Sequence, residues 1–253
     1  MSYQYVDPGL PRRLFGWHSP SLGLDMPLIQ YGDRGHPLLL FPTAAADYLE
    51  CERFFLIKSI EPAIMAGRIQ VFSIESINKV GWMDRKLPVR EQARRQALYS
   101  RYIETELVPH IRRVVRDPGI RIATSGASFG AFHAANAFFR RPDLFDAMIG
   151  MSGFYDLAPD YLKGYSDDDV YYNNPPWYLA NLQGPELDRI RASRIVLVTG
   201  QGAWEDPECS RSFSRLLDSK GIRHVLDIWG RDVSHDWPWW RKMLPHYVDA
   251  LWP

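Results

Sequence analysis

Three residues of this chain have the types and spacing to perform nucleophilic catalysis: Ser128, His235 and a carboxylate lying between them in sequence. Ser128 is the centre of Gly126-Ala127-Ser128-Phe129-Gly130, a G-x-S-x-G pattern. About one chain of this size in ten would carry those letters by chance, so their setting decides their meaning. Before them runs a β-branched, apolar stretch from Ile120 to Thr124, and after them comes an alanine-rich segment with helical spacing at Phe129, Phe132, Ala135 and Phe138. A strand, a tight turn and a helix in that order lift a serine hydroxyl above the edge of a sheet. The glycines at both ends of the pattern let strand and helix approach closely, having no Cβ.

A serine hydroxyl is a weak nucleophile near neutral pH and needs a base within hydrogen-bond reach. In this arrangement the chain order is serine, acid, histidine, each on a loop after a strand. His235 meets that demand, following the last strand HVLDIW across the loop 230–234. The other histidines do not: His18 lies in a first hairpin, His36 and His224 open strands, His110 and His246 sit in helices, and His133 points away from Ser128 along the departing helix. The acid is expected in the loop 200–206 that follows the strand IVLVT. Glu205 stands three residues after Gly202 and is preferred. Asp206 is the alternative, although its place before Pro207 at a helix start also suits an N-cap. Asp227, Asp232 and Asp236 are weaker, and Asp236 has its own N-cap reading at the last helix.

Such a centre needs two N–H groups for the developing oxyanion. One is expected from Phe129, directly after the nucleophile, and the other from Thr43, or alternatively Ala44, in the loop after the strand HPLLLF. Pro42 has no N–H to give. Trp82, Tyr155, Trp177, Trp204 and Trp237 fall in loops or at a helix start near the same edge. They are candidates for an aromatic-walled pocket, with plain loop packing an equal expectation for each.

The elements that must position these groups read as follows. Strands are expected at 13–19 and 25–31, forming a hairpin, and then at 36–41, 69–74, 120–124, 147–152, 195–199 and 224–229. Helices are expected at 52–66, interrupted by Pro62; at 89–115, kinked at Pro109; after the turn at Ser128; and at 207–220 and 237–251. Strands alternating with helices after an antiparallel hairpin indicate an α/β fold with a mostly parallel sheet covered on both faces. Residues 153–194 form the least regular stretch, expected as a short excursion over the sheet within a single domain spanning 1–253. So little material for a lid implies an open site.

The whole-chain numbers set limits. Thirty basic and thirty acidic residues cancel, so no surplus of positive charge exists to neutralise phosphates, and nucleic acid is not an expected partner. No apolar run is long enough for a membrane span, and the first thirteen residues lack a signal-peptide pattern, which points to the cytoplasm. Cys51 and Cys209 lack metal-type spacing and read as reduced thiols. No metal or cofactor is expected, and the composition leaves a homo-oligomer open.

The segment GASFGAFHAANAFFRRPDLFDAMIGMSGFYD, the loop after LLLFPT, the helix residues ELVPHI and the ending HDWPWWRKMLPHY resemble the putative-esterase, or esterase D-like, branch of the α/β-hydrolases. The resemblance runs from about His36 to the C-terminus. It implies an α/β-hydrolase fold, Ser128 as nucleophile, His235 as base, a carboxylate from the loop 200–206 and an oxyanion donor near Thr43. The activity it implies is hydrolysis of carboxylic esters or thioesters through an acyl-enzyme. Two other functions share these residues or this fold: an acyltransferase, with an alcohol replacing water, and a binding or scaffold protein without turnover.

Overall fold

The computed structural model describes residues 6, 7 and 9–253, so much of the N-terminal stretch read above for targeting lies outside the described residues. Strands β1 (Arg12–Ser19) and β2 (Leu24–Tyr31) form the expected antiparallel hairpin, turning at Gly23 with a φ of +64°. Then come β3 (His36–Phe41), the short helix α1 (Glu50–Arg53), α2 (Leu56–Met65), β4 (Ile69–Ile74), α3 (Val89–Tyr102) and α4 (Val108–Val115). The elbow joins β5 (Ile122–Ala127) to α5 (Phe129–Arg140), followed by β6 (Phe145–Met151). Beyond it lie α6 (Asp168–Tyr171), α7 (Pro175–Asn181), α8 (Pro185–Arg191), β7 (Arg194–Thr199), α9 (Pro207–Ser219), β8 (Val225–Ile228) and α10 (Trp237–Leu251).

One eight-stranded sheet results, in the order β1-β2-β4-β3-β5-β6-β7-β8. The β1/β2 and β2/β4 pairs are antiparallel, and every pair from β4/β3 onward is parallel. Parallel strands covered on both faces must be apolar at consecutive positions, and their side chains then divide between two cores. On one face Leu39, Met148 and Leu197 pack with Tyr99, Ile111, Phe138 and Phe213 from the helices α3, α4, α5 and α9. On the other Leu38, Leu40, Val196 and Val198 pack with Ile57, Ile60, Met243 and Val248 from α2 and α10.

Two helix expectations are corrected. The segment 52–66 breaks at Phe55, which has a φ of +62°, and Pro62 lies inside α2 without ending it. Burial of Leu56, Ile57, Ile60, Ala63 and Ile64 outweighs the one backbone bond a proline forfeits. In the segment 89–115 the irregularity falls before Pro109, as a π-helical turn at Ile103–Leu107. Pro109 cannot donate to Thr105, and a wider turn just ahead of it absorbs the missing bond. The stretch 153–194, expected as irregular, is largely short helices. No helix among the described residues is long and apolar enough to cross a membrane.

Candidate active site

Ser128 joins β5 to α5 with φ +56° and ψ −123°, a backbone region that costs a non-glycine residue about 1–3 kcal/mol. The neighbouring glycines make the bend possible. A Cβ on Gly126 would stand 2.3 Å from the carbonyl carbon of Gly130, and one on Gly130 would stand 2.6 Å from the Phe41 oxygen. The Ser128 N–H donates to the Met151 carbonyl at 3.0 Å. From 122 to 139 every residue is buried except Ser128, so the turn presents one side chain to the outside. The N–H of Phe129, at the first position of α5, makes no hydrogen bond among the described residues, as expected of a helix N-terminus.

The acid loop and the histidine loop lie against each other at the ends of β7 and β8. Gly202 N–H donates to the Val233 carbonyl at 2.8 Å, and His235 N–H donates to the Ala203 carbonyl at 2.9 Å. Across this junction the Oε2 of Glu205 lies 3.5 Å from Nδ1 of His235. The Glu205 side chain is 1% exposed and the His235 side chain 25%, which leaves the imidazole reachable and the carboxylate sealed beneath it.

Burial pushes the Glu205 carboxyl up, but hydrogen bonding to His235, Ser152 and Thr199 outweighs it and holds the group below the ordinary glutamate range. Thr199 donates to Oε2 at 3.0 Å and Ser152 to Oε1 at 2.5 Å. Asp206 is placed elsewhere: its carboxylate caps α9, accepting from Glu208 N–H at 3.0 Å and from the Cys209 thiol at 3.3 Å. Asp236 likewise caps α10 through the Trp237 N–H at 2.7 Å.

On the oxyanion side the two candidate donors differ. Thr43 N–H donates to Glu50 at 2.8 Å, and this bond corrects its expected role because the N–H is already taken. Ala44 N–H makes no hydrogen bond among the described residues.

The five aromatic candidates do not gather into one wall. Trp82 and Tyr155 are 1% and 2% exposed. Trp82 packs with Phe129 and Phe132 and donates to Gln96, and Tyr155 stacks on Phe213 at 4.6 Å. Trp177 is half-buried against the Trp82 cluster, and Trp237 stacks on Phe54 at 4.6 Å. Trp204 is 92% exposed. A cavity of about 490 Å³ has Phe154, Tyr155, Phe213, Asp156, Asp206 and Cys209 among its lining residues. None of Ser128, Glu205 and His235 lines it; Phe154, which does, meets the ring of Phe129 edge-on at 5.0 Å.

Three residues escaped sequence reasoning: Ser152, Thr199 and Trp240. Ser152 and Thr199 stand at the carboxyl ends of the paired strands β6 and β7, and both reach Glu205. Their place one strand apart was the available signal. Trp240 closes the H-x-W-x-x-W ending; its indole N–H donates to Ser152 Oγ at 2.9 Å, and its ring stands edge-on to His235 at 5.1 Å. Ser128, Ser152 and Trp204 are three of the six described non-glycine residues with positive φ, so backbone strain concentrates around this centre. Among the described residues, no group of three His, Cys, Asp or Glu side chains could hold a metal ion.

Comparison with known proteins finds the same fold in solved structures. Over nearly its full length the fold matches a ferulic acid esterase, with a TM-score of 0.72, 17% identity, and 96% and 97% of the two chains covered. An S-formylglutathione hydrolase from Agrobacterium tumefaciens matches with a TM-score of 0.73, 12% identity, and 98% and 97% coverage. The fluorophosphonate-binding serine hydrolase FphF of Staphylococcus aureus matches with a TM-score of 0.71, 12% identity, and 96% and 99% coverage. No curated protein matches the sequence. Residues 72–251 match the family described as Putative esterase. The chain therefore belongs to the Putative esterase family, an ester-cleaving enzyme by that membership, and shares its fold with these solved structures.

Proposed function

We propose that Ser128 attacks the carbonyl of a small-molecule carboxylic ester or thioester while His235 takes the hydroxyl proton. Glu205 holds the imidazole by Nδ1 and stabilises its charged form. The N–H groups of Phe129 and Ala44 receive the oxyanion, a role worth about a hundredfold to a thousandfold in rate per donor. His235 then returns the proton to the leaving group, and water releases the acyl group by the same route. The observation that carries this reading is the pairing of the buried Glu205 carboxylate with the partly exposed His235 imidazole at 3.5 Å, in a chain whose elbow exposes Ser128 alone. Both cysteines are unpaired, which supports a reducing compartment such as the cytoplasm. One sheet carries every group named, in keeping with a single domain.

The test is labelling with a fluorophosphonate probe together with hydrolysis of short p-nitrophenyl esters. The wild type is expected to take the label on the Ser128 peptide. Ser128→Ala is expected to lose labelling and nearly all turnover while unfolding at the same temperature. Full turnover by Ser128→Ala would refute the assignment.

A further inference from the structure

Taking Ser128, His235 and Glu205 in those roles, we infer that Trp240 and Ser152 form a lock that orients the side chain at position 205 and, through it, fixes which nitrogen of His235 carries the proton. Both are positioning residues, since neither is placed to touch the substrate.

The lock follows from counting donors and acceptors. An indole N–H can only donate, so at 2.9 Å the Ser152 oxygen must accept from Trp240. A carboxylate can only accept, so at 2.5 Å the Ser152 hydroxyl proton must point to Oε1 of Glu205. If the Ser152 hydroxyl turned to accept from position 205 on its second lone pair, its proton would lose the carboxylate and, with the indole N–H on the other lone pair, would be left with no acceptor among the described residues. Trp240 and Ser152 are 4% and 6% exposed, so bulk water is not at hand to replace either bond. Ser152 is itself held at φ +47°, with its N–H bonded to the Val198 carbonyl at 2.7 Å. Oε2, left to face Thr199 and His235, lies 3.5 Å from Nδ1, so a proton on Nδ1 would point at it and leave Nε2 to take the proton of Ser128.

A neutral amide at position 205 makes this arrangement visible. In Glu205→Gln the Ser152 hydroxyl selects the amide oxygen, which turns the NH₂ group toward His235. An N–H facing Nδ1 moves the imidazole proton to Nε2, where it blocks the base. A wrong histidine tautomer in such a triad lowers kcat about ten-thousandfold, and Glu205→Gln is expected to lose on that scale. Trp240→Phe keeps a ring beside His235 and removes only the N–H. In the double variant Ser152 can turn and accept from the amide, so the glutamine reverses and offers its oxygen to Nδ1–H.

The experiment compares kcat on a p-nitrophenyl ester for the wild type, Glu205→Gln, Trp240→Phe and the double variant, with ¹⁵N NMR of His235 as the second readout. Trp240→Phe alone is expected to lose about tenfold or less, and the double variant to exceed Glu205→Gln by at least about tenfold, a strongly non-additive result. His235 should carry its proton on Nε2 in Glu205→Gln and on Nδ1 in the double variant. A double variant no faster than Glu205→Gln, with the proton unmoved, would reduce Trp240 to a packing residue and overturn the lock. Should the Trp240→Phe proteins fail to fold, the NMR of Glu205→Gln decides alone: a retained Nδ1–H sinks the inference. Wild-type turnover in Glu205→Gln, or fluorophosphonate label elsewhere than Ser128, would instead show that the triad assignment itself had failed.

Discussion

Thr43 is held by Glu50 through both its backbone and its side chain: the N–H donates to Oε2 at 2.8 Å and the hydroxyl to Oε1 at 2.7 Å. Burial pushes the Glu50 carboxyl up, and the two bonds from Thr43 only partly offset that. The clamp fixes the loop just before Ala44, the proposed oxyanion donor, whose N–H makes no hydrogen bond among the described residues. Glu50→Ala is expected to lower kcat by roughly ten- to a hundredfold, less than removal of a donor itself, and to cost about 1 kcal/mol by leaving the half-buried Thr43 N–H unsatisfied. Glu50→Gln should restore most of both, since its oxygen can accept from Thr43 N–H and its amide can donate to Oγ1. Ester kinetics and thermal unfolding of the two variants check this.

The elbow glycines allow a harsher test. An added methyl on Gly126 or Gly130 would lie 2.3 Å and 2.6 Å from backbone atoms that cannot move without dismantling the strand-to-helix bend. Gly126→Ala and Gly130→Ala are each expected to destabilise by about 3 kcal/mol or more. Gly119→Ala, where the nearest atom is a side-chain oxygen at 3.6 Å, should do little by comparison. Denaturant midpoints for the three variants would show whether close approach, and not glycine content, makes the elbow fragile.

The same contacts explain what could be read in advance. The strands HPLLLF and IQVFSI were recognisable, to their last residue, because a sheet covered on both faces tolerates apolar residues at every position. Ser128, His235 and Glu205, the residues proposed for catalysis, could be singled out because each follows a strand in a fixed chain order. Trp82 and Tyr155 misled because a loop aromatic reads the same whether it faces a substrate or plugs the floor of the loop. The link between Ser152 and Trp240 was invisible for a different reason: it joins positions 88 residues apart, and no local pattern encodes it.

His133 makes stability depend on pH. It lies fully buried on α5 with Nε2 against Asn78 Oδ1 at 2.9 Å, and burial pushes its pKa down to about 3. The unfolded chain binds this proton near pH 6.5, so the folded state loses ground as pH falls from there toward 3, and the contribution is fully present only above the unfolded value. Between pH 7 and pH 5 this one group should account for about 2 kcal/mol. Urea unfolding of the wild type and of His133→Gln at both pH values checks it: the variant should start less stable at pH 7 and show a correspondingly smaller loss on acidification. An equal loss in both proteins would mean that His133 is protonated without opening the core.

Trp204 joins the two residues that hold His235 in place, since Ala203 before it accepts the His235 N–H and Glu205 after it faces the imidazole. Its own side chain is 92% exposed and meets no other ring among the described residues, while its φ of +66° is strained for a bulky residue. Relief of that strain and the greater freedom of glycine in the unfolded chain nearly cancel, so Trp204→Gly should leave stability within about 1 kcal/mol. If the indole serves as a platform for substrate at the rim, its loss removes binding common to ground and transition states. KM for bulky aryl esters should then rise about three- to tenfold while kcat stays within roughly a factor of two, and small acetyl esters should be less affected. Steady-state kinetics across the two ester classes, with thermal unfolding as the control, separate this from a role in shaping the acid loop, which would lower kcat for every ester alike.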